Sequence, residues 1–154
     1  MPVYLDHAAT TPVFPDVLEA MAVQRARTGN PSSLHTAGRT ARRVVEESRE
    51  RLAAAIGARP SEVIFTSGGT EADNLAVAEV FRARRRADAR RTRLLVSAIE
   101  HHAVLDCVEA LAERDGADVV WLPCDSEGFV DPKVVEEAIA GDPASVALIS
   151  VMWA

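Results

Sequence analysis

The residues best suited to chemistry stand in two short stretches, each directly after a predicted buried strand. The first is residues 67–74 (SGGTEADN), where Gly68, Gly69 and Thr70 begin a helix. Adjacent glycines allow positive φ and let a ligand approach the backbone, and the free N–H groups of a first helical turn bind anions such as phosphate. A capping box, with Thr70 as N-cap and Asp73 three residues later, is the alternative interpretation of the same residues. The turn is therefore a helix cap or an anion site.

The second stretch holds His101 and His102, which follow the next predicted strand in the same position one unit later. A lone histidine is more often packed or solvated than functional. Two such stretches at strand ends, however, favour a cleft. A neutral imidazole there could stack on an aromatic ligand or relay protons.

The other reactive side chains have simpler interpretations. Cys107 lies on the inward face of a predicted helix and is expected to be buried, whereas Cys124 follows a strand end. Lys133, the only lysine, is expected to lie on the solvated surface, because nothing around it suggests the desolvated pocket that an activated lysine needs. His7 either lines a pocket or belongs to an N-terminal arm. We find no metal-ligand spacing, paired carboxylates or Ser/His/Asp arrangement.

Size and composition fit one soluble globular domain. The chain has 154 residues, of which 48% are hydrophobic and 26% charged, with a formal net charge of -6. This balance does not favour a nucleic-acid partner, and the apolar runs are too short to cross a membrane. Without a visible secretory signal, the expected location is cytoplasmic. Two cysteines outside any CxxC pattern favour neither a disulfide framework nor a zinc site.

Apolar periodicity predicts the elements that must position these residues. Helices are predicted over residues 15–28, 37–56, 70–86, 102–115 and 131–140, strands over 62–66, 94–98, 118–122 and 145–153, and an extended segment over 4–11. Strands alternating with helices predict an α/β fold with a mainly parallel sheet and a ligand at the carboxyl ends of the strands. We divide the chain into an N-terminal arm and helix, 1–28, and a partial α/β domain, 29–154.

Five stretches together resemble the cysteine desulfurase family, class-V aminotransferase-type enzymes that use pyridoxal phosphate. They are residues 4–12 (YLDHAATTP), 29–35 (GNPSSLH), 63–74 (VIFTSGGTEADN), 100–106 (EHHAVLD) and 148–154 (LISVMWA). The resemblance implies the N-terminal portion of a fold-type I large domain, with Gly69 and Thr70 holding the cofactor phosphate. It also implies that His101 stacks on the pyridine ring and assists proton transfer, and that His7 and Asn30 lie near the active site.

The activity implied by the resemblance is conversion of L-cysteine to L-alanine, with sulfur transferred to an enzyme persulfide, in a homodimer that serves a sulfur-acceptor protein, for example in iron-sulfur cluster biogenesis. Selenocysteine lyase, another class-V member and a non-catalytic phosphate-binding scaffold remain alternatives. By this resemblance, the family's cofactor-binding lysine, pyridine-pairing aspartate and persulfide cysteine have no counterparts among these residues, and we expect the C-terminal part of the domain and the small domain to lie outside them. We therefore expect the isolated chain to be inactive, and its apolar last strand, 145–153, to promote association.

Overall fold

The computed structural model describes residues 3–153, and the chain divides into two compact units, residues 1–64 and 65–154. The first unit contains helices α1 (Pro15–Arg25) and α2 (Thr36–Ala55) and a 3-10 turn (Pro60–Glu62). The second contains α3 (Gly69–Asn74), a π-helical segment (Leu75–Glu79), α4 (Val80–Ala87), β1 (Arg93–Ser97), α5 (His102–Asp115), β2 (Asp118–Leu122), α6 (Pro132–Ala140), a 3-10 turn (Pro143–Ser145) and β3 (Val146–Ser150). The predicted boundary at residue 28 stays a prediction.

In the first unit, the helix ends follow local sequence signals. Proline opens α1, which ends at Arg25, earlier than the predicted residue 28. His35 caps α2, because its Nδ1 accepts the N–H of Gly38 at 3.3 Å. Gly57 follows α2 with φ +68, the left-handed conformation predicted after a helix C-terminus. The predicted extended segment 4–11 instead contains a turn, in which the N–H groups of residues 9 and 10 reach the carbonyl of residue 6.

The predicted strand over residues 62–66 is wrong. Residues 60–62 form a 3-10 turn, and residues 63–66 belong to no strand. Ile64 and Phe65 keep 68% and 48% of their surface exposed. An apolar, β-branched run becomes a strand only where a neighbouring strand completes its hydrogen-bond ladder and covers its side chains. The three-stranded sheet of residues 3–153 provides no such neighbour for this run.

The sheet has the predicted parallel arrangement. Its order is β2-β1-β3, and both pairings are parallel, with Leu95 opposite Val120 on one side and Ile149 on the other. Helix α5 connects β1 to β2, and α6 connects β2 to β3. Since the strands are parallel, their carboxyl ends share one edge of the sheet. The last strand is shorter than predicted and stops at Ser150.

One face of the sheet packs against α5 and the continuous helix 69–87. The buried cluster there consists of Val77, Phe81, Leu94, Val96, Val104, Cys107, Val108, Leu111 and Ala147. Leu75, which lies in the same helix as the buried Val77 and Phe81, is 40% exposed. The π-helical segment that begins at this residue has more residues per turn than an α-helix, so the inward face shifts in phase. The core therefore fixes α5 and the later turns of the helix 69–87 against the sheet.

Candidate functional site

The glycine turn forms a helix start with free backbone donors. Thr66 Oγ1 donates to the carbonyl of Gly68 at 3.0 Å, and the first backbone bond of α3 runs from Ala72 N to the same carbonyl at 3.1 Å. The N–H groups of residues 69–71 precede that bond, so they lie at the positive end of the helix dipole without intrahelical acceptors. Thr70 is the second residue of the helix and is not its N-cap. The capping-box alternative is therefore wrong.

The two glycines of this turn leave open space beside the backbone. Gly68 is extended, with φ 169 and ψ -178, and Gly69 is helical, so neither uses the left-handed region that glycine allows. A Cβ added at either glycine would meet no atom within 4 Å. In contrast, a Cβ at Gly29 would lie 2.6 Å from the carbonyl oxygen of Ala37. The N-cap position itself favours glycine at 68, and the open space would let an external group approach the backbone closely at both glycines.

Glu71 braces the turn from within the helix. Its Oε2 accepts both the backbone N–H and the hydroxyl of Ser67, each at 2.6 Å. The Ser67 hydroxyl, and then its N–H, lower the pKa of the Glu71 carboxyl below its ordinary value. The carboxylate therefore stays charged near neutral pH while directed at Ser67. This pair holds the segment that leads into Gly68.

His101 occupies the N-cap position of α5. Its Nδ1 accepts the N–H of Ala103 at 3.0 Å, so the neutral ring carries its proton on Nε2. The His102 ring lies edge-on to it, with ring centroids 6.4 Å apart and an interplanar angle of 71°. The His101 side chain is exposed. It can therefore offer an aromatic face and an Nε2–H donor to a ligand while its other nitrogen fixes the ring.

Asn74 connects the two helix starts. Its Nδ2 donates to the carbonyl of Thr70 at 2.8 Å and to that of Ala103 at 3.4 Å, and α3 packs against α5. Asn74 is four residues, just over one helical turn or about 6 Å, beyond Thr70, and Ala103 is two residues beyond His101. The structure thus brings Gly69, Thr70 and His101 to one region of the second unit. The residues that make this connection were quoted in the sequence motifs but were given no role there.

Glu100 is the main residue that sequence reasoning missed. Only 9% of the surface of Glu100 is exposed. Its Oε1 accepts hydrogen bonds from the hydroxyls of Ser97 at 3.1 Å and Ser150 at 2.9 Å. These serines end β1 and β3. A carboxylate three residues after a buried serine was a possible signal for a hydrogen-bonded turn, but the bond to Ser150 crosses 50 residues and has no local signature.

The remaining sequence candidates do not join this group. Cys107 is buried as predicted, and burial raises the pKa of its thiol. Lys133 is exposed in the first turn of α6, as expected, and its N–H donates to Asp131. Cys124 is half-buried. Among residues 3–153, no group of His, Cys, Asp and Glu could hold a metal ion, and no helix is long and apolar enough to span a membrane.

His7 and the loop around Asn30 belong to the first unit. His7 Nε2 lies 3.2 Å from the carbonyl oxygen of Tyr4, and the two rings stack with centroids 5.6 Å apart. Asn30 Oδ1 accepts the N–H of Ser32 at 2.9 Å, which shapes a tight turn. Their predicted nearness to an active site stays a prediction.

The parallel sheet and its helix starts define the class of protein. The fold is that of the N-terminal portion of a fold-type I pyridoxal-phosphate enzyme, and a solved NifS-like protein superimposes with a TM-score of 0.81 at 38% identity. That match covers 89% of this chain and 37% of the other. The chain belongs to the aminotransferase class-V family, whose sequence profile matches residues 3–152.

Two relatives of this chain are named cysteine desulfurases. The IscS-like cysteine desulfurase of Mycobacterium tuberculosis is 56% identical over 151 residues, which are 98% of this chain and 38% of that protein. The cysteine desulfurase IscS of Dictyoglomus turgidum is 46% identical over 153 residues, covering 99% of this chain and 37% of that protein. The chain therefore spans well under half the length of these relatives and corresponds to their N-terminal portion.

Proposed function

We propose that this chain is the N-terminal, cofactor-binding part of a pyridoxal-phosphate-dependent cysteine desulfurase. The observation that carries the proposal is the open helix start at Gly69 and Thr70, tied through Asn74 to the helix start that bears His101. Relatives that match nearly the whole chain bear the name of that activity. The reaction is conversion of L-cysteine to L-alanine, with the sulfur passed to a cysteine of the enzyme as a persulfide.

The residues at this site fit the cofactor's phosphate. A phosphate needs several donors and no adjacent uncompensated carboxylate. The N–H groups of residues 69–71 and the exposed Thr70 hydroxyl can supply the donors, and the space beside Gly68 and Gly69 is open. The nearby Glu71 carboxylate already accepts two bonds from Ser67. Gly69 and Thr70 are the residues that we assign to the phosphate.

His101 is the residue that we assign to the cofactor ring and to proton transfer. When bound, pyridoxal phosphate supplies an electron sink for bond changes at the amino acid's α-carbon. Because Nδ1 is engaged with Ala103, only Nε2 is available to donate a proton or a hydrogen bond toward the ligand. An imidazole held by its other nitrogen meets the general requirement for a positioned acid or base.

The finer features of the activity follow the same proposal. We infer a homodimer that passes sulfur to an acceptor protein, as in iron-sulfur cluster biogenesis. A cytoplasmic location is supported by two free cysteines, Cys107 and Cys124, since reduced thiols are the norm in that compartment. Selenocysteine lyase is the alternative within the enzyme class, and a phosphate-binding scaffold is the alternative outside it.

The test is a substrate comparison on the complete protein. We expect the purified protein to bind pyridoxal phosphate and to release alanine from L-cysteine, with activity lost in His101→Ala. Faster alanine release from L-selenocysteine, with little from L-cysteine, would instead indicate a lyase. Phosphate binding with no release from either amino acid would indicate a scaffold. The isolated 154-residue chain serves as the inactive control.

A further inference from the structure

We propose that Glu100 is a positioning residue, which holds His101 in place by joining the turn after β1 to the end of β3. This inference rests on the proposed function for the consequence at the cofactor. Its structural part, the fixing of the His101 ring, is independent of that function. Glu100 is the one charged side chain that is buried among residues 3–153.

The hydrogen bonds of Glu100 converge from two strands. Ser97, which is fully buried at the end of β1, and Ser150, at the end of β3, both donate to Oε1. The backbone N–H of Met152 also points at Ser97 Oγ, at 3.5 Å. A buried carboxylate is stable only when such donors compensate its lost hydration. Glu100 therefore fastens the carboxyl ends of neighbouring strands to one point.

The same turn determines where His101 stands. The N–H of Glu100 donates to the carbonyl of Ser97 at 3.4 Å, so residues 97–100 form a closed turn directly before the helix. His101 is the next residue, and its Nδ1 accepts the N–H of Ala103. The Glu100 side chain is held by serines at the ends of β1 and β3. Because His101 is the next residue, the Glu100 backbone then fixes the N-cap geometry of His101. Loss of the carboxylate would remove the two bonds that tie this turn to the strand ends.

The first measurement concerns the N-cap alone and needs no cofactor. Hydrogen exchange of the Ala103 amide is compared in the complete apo protein for wild type, Glu100→Gln, Glu100→Ala and His101→Ala. His101→Ala removes the acceptor and gives the rate for complete loss of the cap. We expect Glu100→Ala to accelerate exchange toward that rate. Glu100→Gln should stay near wild type, because its amide oxygen can still accept from Ser97 and Ser150.

The second measurement is a double-mutant cycle on cofactor affinity. Glu100→Ala should weaken pyridoxal-phosphate binding about tenfold, the equivalent of one ordinary hydrogen bond. In the His101→Ala background the same change should have no further effect, because Glu100 acts through His101. A structural role alone would weaken binding equally in both backgrounds. Glu113→Ala, on the exposed face of α5, is the matched control.

The outcomes separate this inference from the proposed function. Unchanged Ala103 exchange in Glu100→Ala, or additive losses in the cycle, would overturn the positioning role. If the wild-type protein fails to bind the cofactor, the proposed function fails, while Ala103 exchange still decides whether Glu100 positions His101. Should Glu100→Ala not fold, Ser150→Ala removes the bond to β3 and is expected to give the same exchange pattern with a smaller change. No acceleration in Ser150→Ala would then refute the inference.

Discussion

The substitution Gly69→Ala distinguishes a ligand-binding site at the glycine turn from a helix start with no ligand. Gly69 is helical and a Cβ there meets no atom within 4 Å, so Gly69→Ala introduces no clash within the chain. At a position whose backbone conformation suits alanine, the replacement stabilises a protein by about 0.4 to 1 kcal/mol. We therefore expect the free energy of unfolding of the apo protein to stay the same or to rise by up to that amount.

The effect on the cofactor should have the opposite sign. A methyl group in the open space beside residue 69 would hold a phosphate away from the N–H donors. Hydrogen bonds to charged groups contribute about 1.5 to 3 kcal/mol, which corresponds to a loss of affinity of about 10- to 150-fold. We would measure it by titrating the complete apo protein with pyridoxal phosphate and following its visible absorption. Urea unfolding of the same samples gives the stability.

Two matched glycine variants control this experiment. Gly141 has right-handed helical angles, φ -64 and ψ -43, and open space at its Cβ, so Gly141→Ala should affect stability as Gly69→Ala does but leave cofactor affinity unchanged. Gly29→Ala places a Cβ 2.6 Å from the Ala37 carbonyl oxygen and should destabilise the apo protein. Wild-type cofactor affinity in Gly69→Ala would show that the phosphate does not lie beside this glycine, and our interpretation of the turn would be wrong.

Two further changes test the elements around the site. The lowered pKa of Glu71 means that the stabilising Ser67 bonds are present above the ordinary carboxyl pKa, about 4.3, and are lost as the pH falls through the lowered folded value. An NMR titration should give a Glu71 midpoint below the ordinary glutamate value that rises in Ser67→Ala, and an unchanged midpoint would contradict the bond. Phe81→Ala leaves a cavity at a fully buried position and should lower the free energy of unfolding by about 3 to 5 kcal/mol, as measured by urea unfolding, with a smaller loss for Phe81→Leu. A loss below about 1 kcal/mol would contradict a core position for Phe81.

Local sequence patterns were sufficient where the decisive interactions are local. The strands beginning near residues 94 and 118 and the helix ending before Gly116 agree with their predictions, and Gly116 has the left-handed φ of +65. The alternation of strands and helices likewise predicted a parallel sheet. Each of these features depends on apolar periodicity or on the conformational freedom of one residue, and both can be read within a few positions.

Interactions between distant residues decided the rest. Residues 62–66 have the composition of a strand, but pairing requires a neighbour that no local pattern specifies. The sequence placed His101 at a strand end, whereas its Nδ1 cap and its connection to Thr70 through Asn74 emerged only when two helices packed together.

The sequence by itself determined the family, the alternating fold and the position of the glycine turn, because these are carried by residue types and short spacings. Only the tertiary structure decided that Gly68 and Gly69 border open space, and that Glu100 is buried against a serine 50 residues away. Burial and hydrogen bonding of a polar side chain depend on which strands become neighbours, and that is a property of the folded chain as a whole.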